Sequence, residues 1–479
     1  MSALSPELLY FASRMSGFST NIFKLETQNQ TTATSNSIVA FDLPSNSIIN
    51  LRSFKMFFKC NANAIAAQGG RLPPVKDLVE RVEVSMGGVV LSQGTNFVNV
   101  LSEAKKAVSA EYCDAVLGHP EYIRATSYVN PADTLATTAN ENDANTSYCI
   151  DEWEGFLGTA DPMLFDSSLV PMMRVRCYMA TDNVLSSVST SVLGTAAGNF
   201  ADSAGTDATT GPPLNSTAVG SPKYALSDIR ATIECISIAD MSLENMLASQ
   251  MSAQGELEVP YKAYYSFLDT HTGTSKFSVA ASSMDRIWLA WRGSDYNSVT
   301  TPITIGGHKV AGAFVDVTVG AGTTTLDIGK PQYDVGGVLD TNSEKYKGRY
   351  FNFSQPVAFG ATTAWKAQLQ LNGAYYPQFS AGIEEWYGIT KNSLPGDRKS
   401  KDMTLDQYRD NYCVQCARFN MPNSEFSRSL TGVDTRSTNL QGIVRSENAG
   451  TSLNPNLSIF IETTEVLKIS AGRSISVVV

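Results

Sequence analysis

The sequence predicts an all-β protein: two tandem eight-stranded jelly-roll β-sandwiches with short helices and long loops. Three observations carry this. Apolar and polar residues alternate in segment after segment, the period of half-buried strands. One local design, a tight hairpin followed by a short helix, occurs twice. Charged residues make up only 17% of the 479 residues, while Gly, Ser, Thr and Asn are abundant, which argues against long helices and coiled coils.

The repeated design is the most specific signal. In residues 79–108, Val82, Val84 and Met86 oppose Arg81, Glu83 and Ser85. Gly87-Gly88 then allows a tight reversal into Val89-Val90-Leu91. In residues 363–394, Trp365, Ala367, Leu369 and Leu371 oppose Lys366, Gln368 and Gln370. Asn372-Gly373 makes the turn, and Ala374-Tyr375-Tyr376 leaves it. A helical stripe follows each hairpin: Phe97, Val100, Leu101, Ala104 and Val108 in the first, Ile383, Trp386, Tyr387, Thr390 and Leu394 in the second. Both stripes have the spacing of one helix face, and Pro395-Gly396 closes the second helix.

Taken in chain order, residues 1–18 read as a separate helical arm. Ser5 can cap it, Pro6 suits the first helical position, and Glu7 favours the helix N-terminus. Leu8, Phe11, Ala12 and Met15 form its stripe, and Gly17 can end it. Residues 19–240 hold the first sandwich. Its alternating sets include Phe54, Met56, Phe58 and Cys60, then Met173, Val175, Cys177 and Met179, and finally Ile229, Ala231, Ile233 and Cys235. The stretch 185–222 is rich in Ser, Thr, Ala and Gly and cannot build a core of its own. Residues 241–258 suggest a short helix ending at Gly255 and read as the connection between domains. Residues 259–479 hold the second sandwich, in which Ile287, Leu289 and Trp291 alternate with Arg286, Ala290 and Arg292. Residues 293–350 read as an inserted extended β arm or surface loop, and the chain finishes in two strands. Two packed antiparallel sheets per half bury such strands, and the jelly roll is the common eight-stranded version.

The balance of 36 basic and 46 acidic residues gives −10, which argues against a surface that wraps nucleic acid. The N-terminus lacks a basic region and carries Pro and Glu early, so no secretion signal is expected, and no run of about 18 apolar residues marks a membrane helix. The seven cysteines are scattered and read as reduced thiols.

No residue set makes a catalytic, cofactor-binding or metal site. His119, His271 and His308 lie in unrelated, loop-like contexts and read as solvated. Neither His-Glu-x-x-His nor Gly-x-Ser-x-Gly occurs. Gly329-Lys330 lacks the upstream Gly of a phosphate loop, and Pro331 blocks the helix that must follow. Cys413 and Cys416 form a lone C-x-x-C in a strand, where residues three apart face opposite sides. Glu384 and Glu385 diverge on a helix and read as solvated charges. The stretch Asp143 to Tyr148 lacks the glycine of an EF-hand loop. A chain this long with two matched β domains and no site suggests a protein whose product is its own shape.

The stretches LVERVEVSMGGVVLSQGTNF, GELEVPYKAYYSF and SSMDRIWLAWRGSDYN, with the duplicated layout, make the chain resemble the double jelly-roll major capsid proteins of the adenovirus–tectivirus lineage. The likeness is to those of virophages, Polinton-like viruses and algal viruses. The resemblance implies two jelly rolls side by side and a homotrimer forming a pseudo-hexagonal block of an icosahedral capsid. It implies as partners neighbouring capsomers, a vertex penton and minor capsid proteins, with an internal membrane as another partner for the arm, and no sequence-specific nucleic acid. It places the protein in the virion, assembled inside the host cell and not secreted. The segments 185–222 and 293–350 are then candidates for outward towers or trimer clasps, and residues 1–18 for the inner face. The alternative reading is a viral fibre, spike or carbohydrate-binding β protein, which would expose aromatic clusters at loop tips. A hydrolase on a β scaffold ranks third.

Overall fold

The computed structural model describes residues 18–63, 68–71, 73–91, 96–110, 128–129, 147–189, 223–238, 251–253, 255–292, 365–394, 399–400, 412–421, 430–436, 440–447, 456–470 and 472–479, with short strand pairs between 304 and 327 and single positions or short runs at 249, 296, 349–351, 353, 403, 405 and 408. The helical arm expected over 1–18 lies outside these, except Phe18, which opens the first strand. So do residues 190–222 of the expected long loop.

The first lobe comprises β1 (Phe18–Glu26), β2 (Ile38–Asp42), β3 (Ile48–Asn63), β4 (Val79–Met86), β5 (Val89–Leu91), helix α1 (Val98–Val108), β6 (Ser147–Ile150), β7 (Met173–Met179) and β8 (Lys223–Ile238). The second comprises β9 (Glu256–Thr270), β10 (Thr274–Val279), β11 (Met284–Arg292), β12 (Lys366–Leu371), β13 (Ala374–Ala381), helix α2 (Ile383–Ser393), β14 (Val414–Arg418), β15 (Leu440–Glu447) and β16 (Asn456–Ser470), with β17 (Ser474–Val478) added at the end.

The strand orders are the same in the two lobes. One sheet runs β1-β8-β3-β6 in the first lobe and β9-β16-β11-β14 in the second. The facing sheet runs β2-β7-β4-β5 and β10-β15-β12-β13. Each strand of the first lobe thus has its counterpart eight strands later, and both lobes are eight-stranded jelly rolls. The expected hairpins are β4–β5 and β12–β13, turning at Gly87-Gly88 and Asn372-Gly373. All four turn residues have positive φ. The expected helices follow them as α1 and α2, each 11 residues long.

Alternation sets the core. Phe54, Met56 and Phe58 of β3, Val175 and Cys177 of β7, and Ala231 and Ile233 of β8 are wholly buried inside the first lobe. In the second, Trp386 of α2 is wholly buried and donates its indole N–H to Ala367 O at 2.9 Å, which pins the helix to β12. Gly442 of β15 stands opposite Phe277 of β10, whose ring occupies the space a Cβ would need.

Three segments depart from simple alternation. Every residue of β11 is buried, because β11 is interior to its sheet and covered on both faces. Its arginines, Arg286 and Arg292, are each 1% exposed. Glu83 of β4 is buried on the outer face, where it accepts a hydrogen bond from Tyr178 Oη at 2.8 Å and pairs with Arg81. In α1, burial extends beyond the expected stripe to Asn99, Ser102, Glu103 and Lys105: Asn99 donates to Asp77 O of its own lobe at 3.1 Å, and Lys105 reaches Tyr264 Oη of the second lobe at 2.8 Å.

The inserted segment does contain antiparallel pairs: Thr304–Ile305 with Leu326–Asp327, His308–Val310 with Ala313–Val315, and Thr318–Val319 with Gly322–Thr323. In the connection between lobes, residues 251–253 are helical. Gly255, at φ 76°, donates its N–H to Met251 O at 2.8 Å, the left-handed helix end a glycine favours. The two expected C-terminal strands are β16 and β17.

Candidate functional site

Among the described residues, those flagged by their chemistry do not converge. His271 is buried, which corrects the expectation of a solvated loop histidine. It follows β9 and is held between Ser275 Oγ and Ser446 Oγ, each 2.6 Å from a ring nitrogen, with Trp291 edge-on at 5.0 Å. Burial lowers its pKa to about 4, so it is neutral at pH 7. His308 lies in its short strand, and His119, Gly329, Lys330, Asp143 and Asn145 lie outside the described residues. Cys413 and Cys416 are both buried, and burial pushes the Cys416 thiol well up. Among the described residues no group of three His, Cys, Asp or Glu is placed to hold a metal. Glu384 and Glu385 are exposed, and Glu385 also accepts the Gly382 N–H at 2.9 Å, capping α2.

The His271 environment has a pH consequence. Its folded pKa lies below the ordinary value of 6.5, so protons favour the unfolded chain. The stabilisation is complete above about pH 6.5 and is lost as pH falls towards 4. Urea midpoints measured from pH 7 to 4 fall for the wild type, and a His271→Asn variant flattens that part of the profile.

What the fold does bring together is the seam between the lobes. After β6, the first lobe turns sharply at Gly155 (φ 78°) into the single helical turn Phe156–Thr159. This corner lies along the outer edge of β9. Asp161 N donates to Pro260 O at 3.0 Å, and Lys262 N donates to Thr159 Oγ1 at 2.9 Å. Phe156, 1% exposed, packs edge-on against Phe165 of its own lobe and Tyr261 of the other, at 6.0 and 5.4 Å between centroids. Gly158 has no room for a side chain, since a Cβ would fall 1.7 Å from Trp153 O. Further along, Asn96 N donates to Ser266 Oγ at 3.0 Å, and residues 109–110 pair with 399–400 as a two-residue ladder.

Charges fill the seam in matched sets. Lys105 of α1 donates to Glu154 Oε2 and to Tyr264 Oη of β9, both at 2.8 Å. Arg286 Nη1 meets Glu462 Oε1 of β16 at 2.7 Å, and Arg286 Nε donates to Ser393 O at the end of α2 at 2.9 Å. Lys262 Nζ donates to Asp285 Oδ2 at 2.5 Å and to Thr464 Oγ1 at 2.9 Å. Burial by itself would raise the Glu462 pKa. Arg286, then Lys105 and Lys262, override it and hold the carboxyl at about 2. At Glu465, burial raises the pKa against hydrogen bonds from Tyr261 Oη (2.5 Å) and Tyr265 Oη (2.8 Å).

Beside the corner is a cleft of about 310 Å³ whose lining includes Lys76, Asn99, Ser102, Trp153, Glu154 and Thr159. Two of its charges are paired, Lys76 with Glu152 at 3.2 Å and Glu154 with Lys105 at 2.8 Å.

Sequence reasoning did not find these seam residues. One signal was present: Glu462 and Glu465 stand between the apolar runs Ile459–Ile461 and Val466–Leu467 of β16, and a carboxylate in a buried strand requires a partner.

Two jelly rolls of one topology, locked edge to corner, define a double jelly roll. Solved structures share this architecture over nearly the whole chain. A chain of the PBCV-1 virus capsid matches over 99% of this chain and 99% of its own, with TM-score 0.50 and 11% identity. PBCV-1 VP54, fitted into a reconstruction of the virophage Sputnik, matches over 99% of each chain with TM-score 0.51 and 10% identity. The Faustovirus major capsid protein matches over 98% of this chain and 93% of its own, with TM-score 0.52 and 9% identity. The likeness is one of fold, and it bears out the double jelly-roll resemblance read from the sequence. No family model and no curated protein matches the chain.

Proposed function

We propose that the chain is a major capsid protein. Three copies form a homotrimeric, pseudo-hexagonal capsomer that tiles an icosahedral virus shell, and the role is architectural with no reaction of its own. The observation that carries this reading is the seam. It fixes two barrels of one strand order side by side, the arrangement in which threefold association of a two-lobed subunit approximates a hexagonal block. The shared fold of the PBCV-1 and Faustovirus proteins supports it.

On this reading the chain divides into an arm (1–18), a first jelly roll (19–240), a connection (241–258) and a second jelly roll (259–479). Its partners are its own copies, neighbouring capsomers, the vertex penton and minor capsid proteins, with the arm directed towards the inner face or an internal membrane. It resides in the virion and is assembled inside the host cell.

The native mass of the purified chain tests this. Three subunits, with hexagonal outlines in negative stain, are expected. A monomer at all concentrations overturns the reading.

A further inference from the structure

Asp77 is a buried carboxyl outside the matched charges of the seam. It sits in the short 3₁₀ turn Val75–Leu78, which runs directly into β4, and it is wholly buried. Helix α1 packs across this turn. Asn99 Nδ2 donates to Asp77 O at 3.1 Å. One helical turn on, on the same face, Glu103 brings its buried carboxyl within hydrogen-bonding reach of the Asp77 carboxyl. Neither side-chain oxygen of Asp77 meets an N–H or O–H donor among the described residues. Two ionised carboxylates are acceptors only and cannot bond to each other, whereas a proton between them turns one into a donor. Burial and the Glu103 carboxylate both favour that proton.

The cations nearby do not replace it. Lys76 of the turn is bonded to Glu152 at 3.2 Å, and Lys105 of α1 to Glu154 at 2.8 Å. Lys106 stands 3.5 Å from Glu103 Oε1, and its pull on Asp77 is outweighed by burial and by Glu103. β4 brings Glu80, a further acid, and Glu83, which is tied to Arg81. Against α1 from the second lobe, burial pushes the Tyr350 phenol and the Cys416 thiol up, so both are neutral at pH 7.

We propose that Asp77 and Glu103 share one proton and form a latch that holds α1 on the first lobe while that proton is present. Lys105 of α1 reaches Tyr264 of β9, so the latch also bears on the seam. When the proton leaves, two buried negative charges face each other, and α1 and its contact with the second lobe loosen. The folded pKa of Asp77 lies above its ordinary value of 3.8, so the folded chain binds the proton more tightly than the unfolded one. The contribution of the latch is complete below pH 3.8 and declines as pH rises towards the folded pKa. This is opposite in sign to the effect of His271, whose contribution is lost as pH falls.

Asp77→Asn tests it. The amide N–H takes the place of the shared proton at every pH, so the variant stays latched. Urea unfolding of both chains is compared at each pH from about 4 to about 9, which cancels His271 and every other group the chains have in common. The folding equilibrium constant of the variant, divided by that of the wild type, is expected to rise with pH by up to about tenfold per unit until the folded pKa is passed. At the alkaline end, amide exchange across residues 98–108 is expected to be faster in the wild type than in the variant. At about pH 6 the wild type is expected to show the infrared carbonyl band of a protonated carboxyl that the variant lacks. A ratio that is flat across the range, or no such band, overturns the latch, and equal exchange in the two chains overturns its hold on α1. If Asp77→Asn does not fold, Glu103→Gln supplies the amide from the other side and is read by the same three outcomes. The comparison is the same for one subunit or three, so it stands apart from the capsomer reading.

Discussion

A chain carrying Arg286→Met loses about 3–5 kcal/mol of stability, the cost of leaving a buried carboxylate without its partner. Glu462 is 4% exposed, and among the described residues its arginine contact is the 2.7 Å pair with Arg286. The same substitution also strips the Ser393 carbonyl of its charged donor, leaving the Cys416 thiol at 3.9 Å. Guanidinium denaturation at pH 7 and fixed protein concentration reads the loss. The double variant Arg286→Met/Glu462→Met recovers most of it, because no charge is then stranded. A single variant as stable as the wild type would show that Lys105 and Lys262 suffice to hold the carboxylate. In the wild type the Glu462 pKa is depressed from 4.5 to about 2. Its contribution is therefore complete above about pH 4.5 and fades as pH falls towards 2.

The Phe156→Ala variant costs a similar amount, about 3–5 kcal/mol, as truncation of a buried Phe does. The location gives it a second effect. The Phe156 ring bridges Phe165 in one lobe and Tyr261 in the other, so its loss opens a cavity at the seam. Calorimetry is expected to show one cooperative transition for the wild type and two for the variant, with the lobes melting separately. One transition at an unchanged midpoint would place the coupling elsewhere, at Lys105 and the ladder of residues 109–110 with 399–400.

Much of the fold was legible because it is written locally. The turn residues Gly87-Gly88 and Asn372-Gly373 require positive φ, and both hairpins form where those residues stand. The stripes of α1 and α2 follow from helical period, and Val100, Leu101, Ala104, Ile383 and Trp386 are buried as that period demands. What alternation cannot tell is which material covers the second face of a strand. Arg286 and Arg292 were read as facing away from the core, and they do. The surface they face is nonetheless closed, by the end of α2 at Ser393 and by Tyr296 and Tyr350. Lys105 and His271 were missed for the same reason, since each has a partner more than a hundred positions away, Tyr264 for Lys105 and Ser446 for His271. Phe156 and Thr159 carried no periodic signal, because they sit in a single turn of helix.

β9 and β16 pair across all of their 15 residues. At about 3.3 Å per residue, such a ribbon is about 50 Å long. On the proposed capsomer reading, with the strands taken to stand upright in the shell, that length sets the thickness of the wall. The container could then be widened by adding blocks to the lattice, but its wall could be thickened only by lengthening these strands.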